Sequence, residues 1–472
     1  MECMRLIKKF SLAVFCLLLF SCSGWTNLFD YESGDSVVIK KKSSEMNPPS
    51  ELQQAERLWT ILVYMCADND LEAAAMEDLC EMEFSDLNTS AVTVLTLIDR
   101  SPSYDTSYDN WYGSRLYKLQ TGRAADSRKL ISEEIECLDL GLAAGKETEL
   151  DMSSNYVLSS SLSYARKKFP ANNYGLIIWG HGTGWRGNEM EASVDVSGLF
   201  KGFSYDGSSG TYMTLYQTGE GLKNGLNGTK LDFLGFDTCY GAELEVLYEL
   251  KNYAKLCSGS EGLISASGWN YKELFSYFEK SEKRPSDLCA SVIYQFKKQY
   301  AYKTGASIVS LDLEKLQPFF DSCNQMWEAC ADKINRTAVR DEIMQLLYSS
   351  SSSVKRYTYG SAGSDVYLDL PSMMASLCSY FNEPEISRIY DAFETCKKNL
   401  IKDSWTSEWG QGGLGVYFSS LSDSSNLSVS HPLPYKKGAC ADQISFVKDC
   451  DAYVPLGNDG KSFLSKLFYT QF

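Results

Sequence analysis

Short, wholly apolar runs alternate along this chain with longer amphipathic stretches. The run WTILVYM (59–65) is short, apolar at nearly every position and contains three β-branched residues, the pattern of a strand buried on both faces of a parallel sheet. It breaks at ADNDLEAAAMEDLCEME, where Asp68, Asn69 or Asp70 can cap a helix and acidic residues occupy the early turns. AVTVLTLID (91–99) predicts a second strand, and the alternation in WYGSRLYKLQ (111–120) predicts an edge strand or hairpin arm. A helix is expected from Ser154 to Lys168. Three more apolar runs follow as strands: YGLIIWG (174–180), LDFLGFD (231–237) and AKLCSGS (254–260), with a helix over ELEVLYELKNY after LDFLGFD. Buried strands and helices alternating at this spacing imply βαβ units, hence an α/β fold with a mostly parallel sheet covered on both faces. Reactive groups in such sheets gather at the carboxyl ends of the strands.

The pattern changes from about Gly305. ASIVSLDL (306–313) is one more strand, helical periodicity runs through CNQMWEACADKINRTAVRDEIMQLL, and SSSSSVKRYTYGSAGS (349–364) marks a loop. We therefore expect a core over 57–312 and a mixed C-terminal subdomain over 313–472. At the other end, Arg5, Lys8 and Lys9 precede the apolar FSLAVFCLLLF, an export signal too short to span a membrane. Its ending, Leu19-Phe20-Ser21-Cys22, resembles the lipobox of bacterial lipoproteins. That resemblance implies a signal over 1–21, a lipid on Cys22, and attachment to the bacterial cell envelope. The polar stretch 22–56 then reads as a tether.

Composition narrows the function. Apolar residues make up 44% and charged residues 22% of the 472 positions, so the chain can bury a full core. A formal net charge of -16 argues against a nucleic-acid binder, which needs clustered Lys and Arg. It favours cationic substrates, or serves solubility alone. The 15 cysteines are scattered singly with no CxxC pair or His/Cys metal spacing, so no metal ligands are assigned. Histidine occurs only at 181 and 431.

Two strand ends carry candidate chemistry. YGLIIWG delivers His181 into Gly182-Thr183-Gly184, and LDFLGFD delivers Cys239 into Tyr240-Gly241. If both strands share one parallel sheet, the two side chains emerge at the same edge. A thiol with an ordinary pKa of about 8.5 needs a base to become nucleophilic near neutrality. Imidazole can take that proton and return it to a leaving amine. The backbone N–H groups of Gly182 and Cys239 are candidates for an oxyanion hole. His431, in the Pro-rich SHPLPY, reads as structural.

These segments together resemble the clostripain family of cysteine peptidases, in the clan of caspases, gingipains and legumain. The resemblance rests on WTILVYMCADNDLE, NNYGLIIWGHGTGW, LDFLGFDTCYGAELE, GSEGLISASGWNY (259–271), SDVYLDL (364–370) and GLGVYFS (413–419). It implies a caspase-like α/β/α sandwich, a His181–Cys239 dyad, and oxyanion donors at Gly182 and Cys239. It also implies cleavage of protein or peptide substrates after Arg or Lys, with Asp237 as the pocket acid. Residues two apart in a strand share a face, so Asp237 can sit beside Cys239, or instead cap the next helix. A second pocket acid has no obvious source in LISASGW, where Glu261 is the nearest. Trp269 either walls the site or packs in the core. Family members often cut themselves between the His and Cys strands, where Lys201 is the better candidate and Arg186 the poorer. Some relatives need calcium, although no EF-hand-like spacing occurs here. A binding or adhesion module on the same fold, or a hydrolase of a non-peptide acyl substrate, are the alternatives.

Overall fold

The computed structural model describes residues 57–125, 127–185, 202–279, 283–349, 351–359, 365–407, 412–419, 445–450 and 462–468. They belong to one compact unit running from Gln54 to Phe472. At its centre lies β1 (Arg57–Ala67), flanked by β2 (Val92–Arg100) and β5 (Ala171–Trp179), both parallel to it. Beyond β5 come β8 (Leu231–Asp237) and β9 (Ala254–Gly259), again parallel. The edges are antiparallel. β3 (Gly113–Lys118) and β4 (Glu133–Glu134) extend the sheet past β2, and β10 (Ser307–Asp312) and β13 (Ile401–Thr406) extend it past β9. The nine-stranded order is β13-β10-β9-β8-β5-β1-β2-β3-β4.

Helices cover both faces because the central strands are apolar on both. On one face Leu62, Tyr64 and Cys66 of β1 join Leu158 and Leu162 of α2 (Asn155–Lys168) and Leu222 of α3 (Leu215–Leu226). On the other, Ile61, Val63 and Met65 join Met76 and Leu79 of α1 (Glu72–Glu83), Leu274 of α5 (Tyr271–Ser276) and Val292 of α6 (Pro285–Tyr300). Each such buried side chain contributes about 1.5–3 kcal/mol. Between these helices α4 (Leu244–Leu250) follows β8. The α/β/α layering expected from the apolar pattern is present.

The boundary expected at residue 312 does not separate two sheets. β13 pairs with β10 in the main sheet. Helices α7 (Leu316–Lys333), α8 (Thr337–Tyr348), α9 (Leu370–Phe381) and α10 (Pro384–Leu400) bury Phe319, Ile343, Leu377 and Phe393 in the same apolar cluster as β1. A small sheet of β11 (Arg356–Tyr359), β12 (Asp365–Asp369) and β14 (Gly415–Ser419) stands beside it. A hairpin of β6 (Phe203–Asp206) and β7 (Thr211–Met213) lies between β5 and α3. Cys22, Arg186, Lys201 and His431 lie outside the described residues.

Candidate active site

β1, β5 and β8 are neighbours and parallel, so their carboxyl ends open on one edge of the sheet. From β1 the chain steps first to β2 on one side and later to β5 on the other. Such a reversal leaves a crevice between the diverging loops. Register does the rest. Trp179 of β5 lies opposite Asp237 of β8, and His181 and Cys239 each follow two residues later. A cavity of about 280 Å³ there is lined by Leu71, Trp179, His181, Gly182, Asp237, Cys239, Ile264, Ser265 and Gly268, among others. A larger one of about 430 Å³ shares the Leu263–Ser265 wall and is lined by Tyr240, Phe296, Tyr300, Lys303 and Arg356. It holds neither His181 nor Cys239, so the smaller cavity is the chemical one.

Gly182 is where the two strand ends touch. A Cβ there would lie 2.4 Å from the Cys239 carbonyl oxygen and 2.8 Å from Thr238 Cβ. Only glycine permits that approach. The Cys239 sulfur accepts the Ile264 N–H at 3.2 Å. Burial pushes this thiol up to about 11, the Ile264 N–H draws it partly back, and the charge of Asp237 pushes it further up. His181 Nε2 meets Asp70 Oδ1 at 2.7 Å. Since a carboxylate only accepts, Nε2 carries the proton and the basic lone pair belongs to Nδ1.

Asp70 is a residue that sequence reasoning placed elsewhere. Asp68, Asn69 or Asp70 was expected to cap α1, but α1 starts at Glu72 and its N-cap position is Leu71, with no side-chain cap. Asn69 Oδ1 takes the Leu71 N–H at 3.0 Å instead, and Asp70 turns to the imidazole.

Asp237 forms the floor of the cavity. Its Oδ2 accepts the Trp269 N–H and the Tyr271 hydroxyl, each at 3.0 Å, while Oδ1 is buried without a partner. Burial pushes its carboxyl up to about 7, against the pull of those two hydrogen bonds. Asp78 of α1 lies behind it, with Oδ2 accepting the Trp179 indole N–H at 2.7 Å. Burial, and then the charge of Asp237, push Asp78 well above the ordinary carboxylate range. A further buried acid near Asp237 thus comes from α1, although Asp78 itself is not among the residues that line the cavity. Glu261, the nearest acid in the segment after β9, is fully buried away from the cavity, bonded to Tyr357 Oη at 2.9 Å and the Gly413 N–H at 3.1 Å.

Trp269 does not wall the cavity. Its ring is fully buried in the apolar layer under the sheet. It fills the space left by Gly235, where a Cβ would come within 2.8 Å of the indole. Its contribution to the site is the backbone N–H that holds Asp237.

The model of the clostripain family matches residues 63–418. The chain belongs to that family. Clostripain from Hathewaya histolytica is 25% identical over 231 residues, covering 46% of this chain and 41% of the relative. The chain thus matches less than half the length of that curated relative. Among solved structures, a secreted C11 cysteine protease from Bacteroides thetaiotaomicron in complex with an irreversible peptide inhibitor superposes with a TM-score of 0.57 at 18% identity, covering 83% of this chain and 98% of that one. An inactive zymogen C11 protease from Parabacteroides distasonis gives 0.54 at 18% identity, covering 78% and 93%. The shared fold is the caspase-like one of these cysteine proteases. Membership places the chain in a family of cysteine peptidases.

Proposed function

We propose that this clostripain-family chain is an exported endopeptidase cutting after Arg or Lys, with Cys239 as nucleophile and His181 as its proton-transfer partner. One observation carries the reading: the matched ends of β5 and β8 deliver His181 and Cys239 to one cavity whose buried floor is Asp237.

The chemistry then runs as follows. Nδ1 of His181 takes the Cys239 proton, and the sulfur attacks the scissile carbonyl carbon, forming the C–S bond. The oxyanion accepts the N–H groups of Gly182 and Cys239. The C–N bond breaks as the imidazolium gives its proton to the departing amine. Water, deprotonated by His181, then cleaves the thioester and restores the thiol. Asp70 holds the imidazole in the tautomer this requires. Asp237, with Oδ1 unpaired, offers a carboxylate to a guanidinium or ammonium lowered into the cavity. A buried carboxyl near its midpoint at neutral pH ionises when a cation arrives, since the pair removes much of the desolvation cost.

The same reading includes a lipid on Cys22 and a self-inflicted cut after Lys201. Metabolic labelling with a fatty acid in wild type and Cys22→Ala tests the first. Gels of wild type, Cys239→Ala and Lys201→Ala after incubation test the second, and intact bands throughout would end it. For the peptidase itself, peptidyl-Arg and peptidyl-Lys fluorogenic substrates are followed with and without an alkylating agent. Turnover lost on alkylation at Cys239 is the expected result. No turnover together with no label on Cys239 refutes the proposal.

A further inference from the structure

The larger cavity, of about 430 Å³, takes no part in the bond-breaking chemistry, yet it shares the Leu263–Ser265 wall with the catalytic one. Ile264 of that wall gives its N–H to the Cys239 sulfur at 3.2 Å. Tyr300 of α6 lines the larger cavity and donates its hydroxyl at 2.7 Å to the carbonyl of Gly268, which lines the smaller. The N–H groups of Leu263 and Ser265 meet no acceptor among the described residues, so the wall offers main-chain donors to a peptide lying along it. The Leu263 side chain is 52% exposed there.

The lining of the larger cavity is aromatic with a cationic rim. Phe296 and Tyr300, one turn apart on α6, pack with ring centroids 4.4 Å apart, and Tyr240, next to the nucleophile in the chain, adds a third ring. Lys303 Nζ lies 5.3 Å from the centre of the Tyr300 ring and 3.4 Å from Ser265 Oγ. Arg356 is held by the Ser349 carbonyl at 3.2 Å. Neither cation is ion-paired with an Asp or Glu among the described residues, and no acid lines the cavity. Phe296, Tyr300, Lys303 and Arg356 lie outside the segments that carry the family resemblance.

We propose that this cavity is a second substrate pocket, which takes a large aromatic side chain of the peptide whose Arg or Lys enters the catalytic cavity; the proposal rests on the peptidase reading. Neighbouring side chains of an extended peptide face opposite ways, so a peptide laid along the wall can lower one side chain on each side of it. An aromatic ring buries about 150–250 Å² against the rings of Phe296 and Tyr300. Each cation that reaches its face adds about two- to fivefold in affinity. An acidic side chain would gain about fivefold at most from each of the same cations, both of which are exposed, and would leave the aromatic lining uncovered. The balance favours the ring.

Full-length Cys239→Ala protein is titrated by calorimetry with short peptides that carry one Arg and, at each nearby position in turn, Phe, Glu or Ala. At one position Phe should bind about thirtyfold tighter than Ala, with Glu within about fivefold of Ala. Thr304→Trp, at an exposed position on the lining, should fill the cavity, abolish the advantage of Phe and leave the Ala peptide within about twofold. Lys303→Met should reduce that advantage about threefold. Phe no better than Ala at every position, Glu preferred over Phe, or an advantage of Phe that survives Thr304→Trp overturns the proposal. Wild-type turnover of the same peptides is read in parallel. Cleavage after Arg with no aromatic preference overturns the pocket and leaves the peptidase reading standing. Aromatic preference in binding with no cleavage supports the pocket as a peptide site and counts against the peptidase.

Discussion

Gly182→Ala adds one methyl at the tightest point between the two strand ends. The new Cβ would start 2.4 Å from the Cys239 carbonyl oxygen, against a floor of 3.0 Å for real Cβ contacts. The peptide must therefore move by at least about 0.6 Å, and the obstructing atom is backbone, which has no rotamer to escape into. Thr238 Cβ and Oγ1, at 2.8 and 2.9 Å from the same point, close the sideways route. The displacement falls on the two N–H groups assigned to the oxyanion and on the spacing of imidazole and sulfur. A misplacement of about 1 Å can cost on the order of 10²-fold. We expect kcat/KM on a peptidyl-Arg substrate to fall about 30–100-fold, or about 2–2.7 kcal/mol in the barrier.

The cost to folding is smaller. Overpacking of this size destabilises by about 1–3 kcal/mol, which lowers Tm by only a few degrees in a chain this long. Circular dichroism should show a folded protein, and a small neutral alkylating agent should still label Cys239. Folded, labelled and slow is the signature of a site pushed out of alignment. A variant within about threefold of wild type would refute the assignment of Gly182 to the reacting centre.

Three other outcomes follow from the same geometry. Asp237→Asn should cut the preference for Arg over a neutral isostere by about 10²-fold, and in wild type KM for the Arg substrate should fall as pH rises through about 7; selectivity unchanged in the variant would move the pocket elsewhere. Asp70→Asn should lower kcat about tenfold with KM little changed, because an exposed acid orients the imidazole less strongly than a buried one; equal kcat would make the contact incidental. Burial raises Asp78, Asp99, Glu243 and Glu261 above their unfolded values, so the folded state holds extra protons above pH of about 4. Stability should thus decline from mildly acidic pH toward pH 8, and a Tm that is flat or rising over that range would contradict it.

The apolar runs made the parallel core readable, because a strand buried on both faces leaves an uninterrupted signature. His181 and Cys239 were legible for the same reason: each follows such a run by two residues, with a glycine close behind it at Gly182 and Gly241. β13 was not, since IKDSWT lies exposed or half-buried at the sheet edge and carries no apolar alternation. Its position there is set by pairing with β10, which no local pattern encodes. Asp70 was hidden by an equally good local explanation, helix capping, and only the fold shows that Asn69 serves that turn instead. Trp269 misled in the opposite sense. An aromatic near a nucleophile reads as a wall until Gly235, in the strand beneath, is seen to receive its ring. Asp78 met a further obstacle, because its partner Trp179 comes from a segment distant in sequence.

The charge of Asp237 raises the Cys239 thiol, and this bears on how substrate and nucleophile are linked. In the empty site both burial and the Asp237 charge oppose a thiolate at Cys239, while burial opposes the Asp237 charge itself. The resting arrangement is a neutral thiol above a carboxyl that is half protonated near pH 7. A guanidinium bound to Asp237 fixes the carboxylate and cancels its field at the sulfur, so the penalty on the thiolate falls to the burial contribution alone. The Ile264 N–H, at 3.2 Å from the sulfur, then stabilises the thiolate without opposition from below. Cationic side chains on the substrate therefore act twice under the proposed reading, once in binding and once in readying the nucleophile. A neutral side chain in the same cavity supplies neither effect, so the proposed selectivity for Arg and Lys should be expressed in kcat as well as KM.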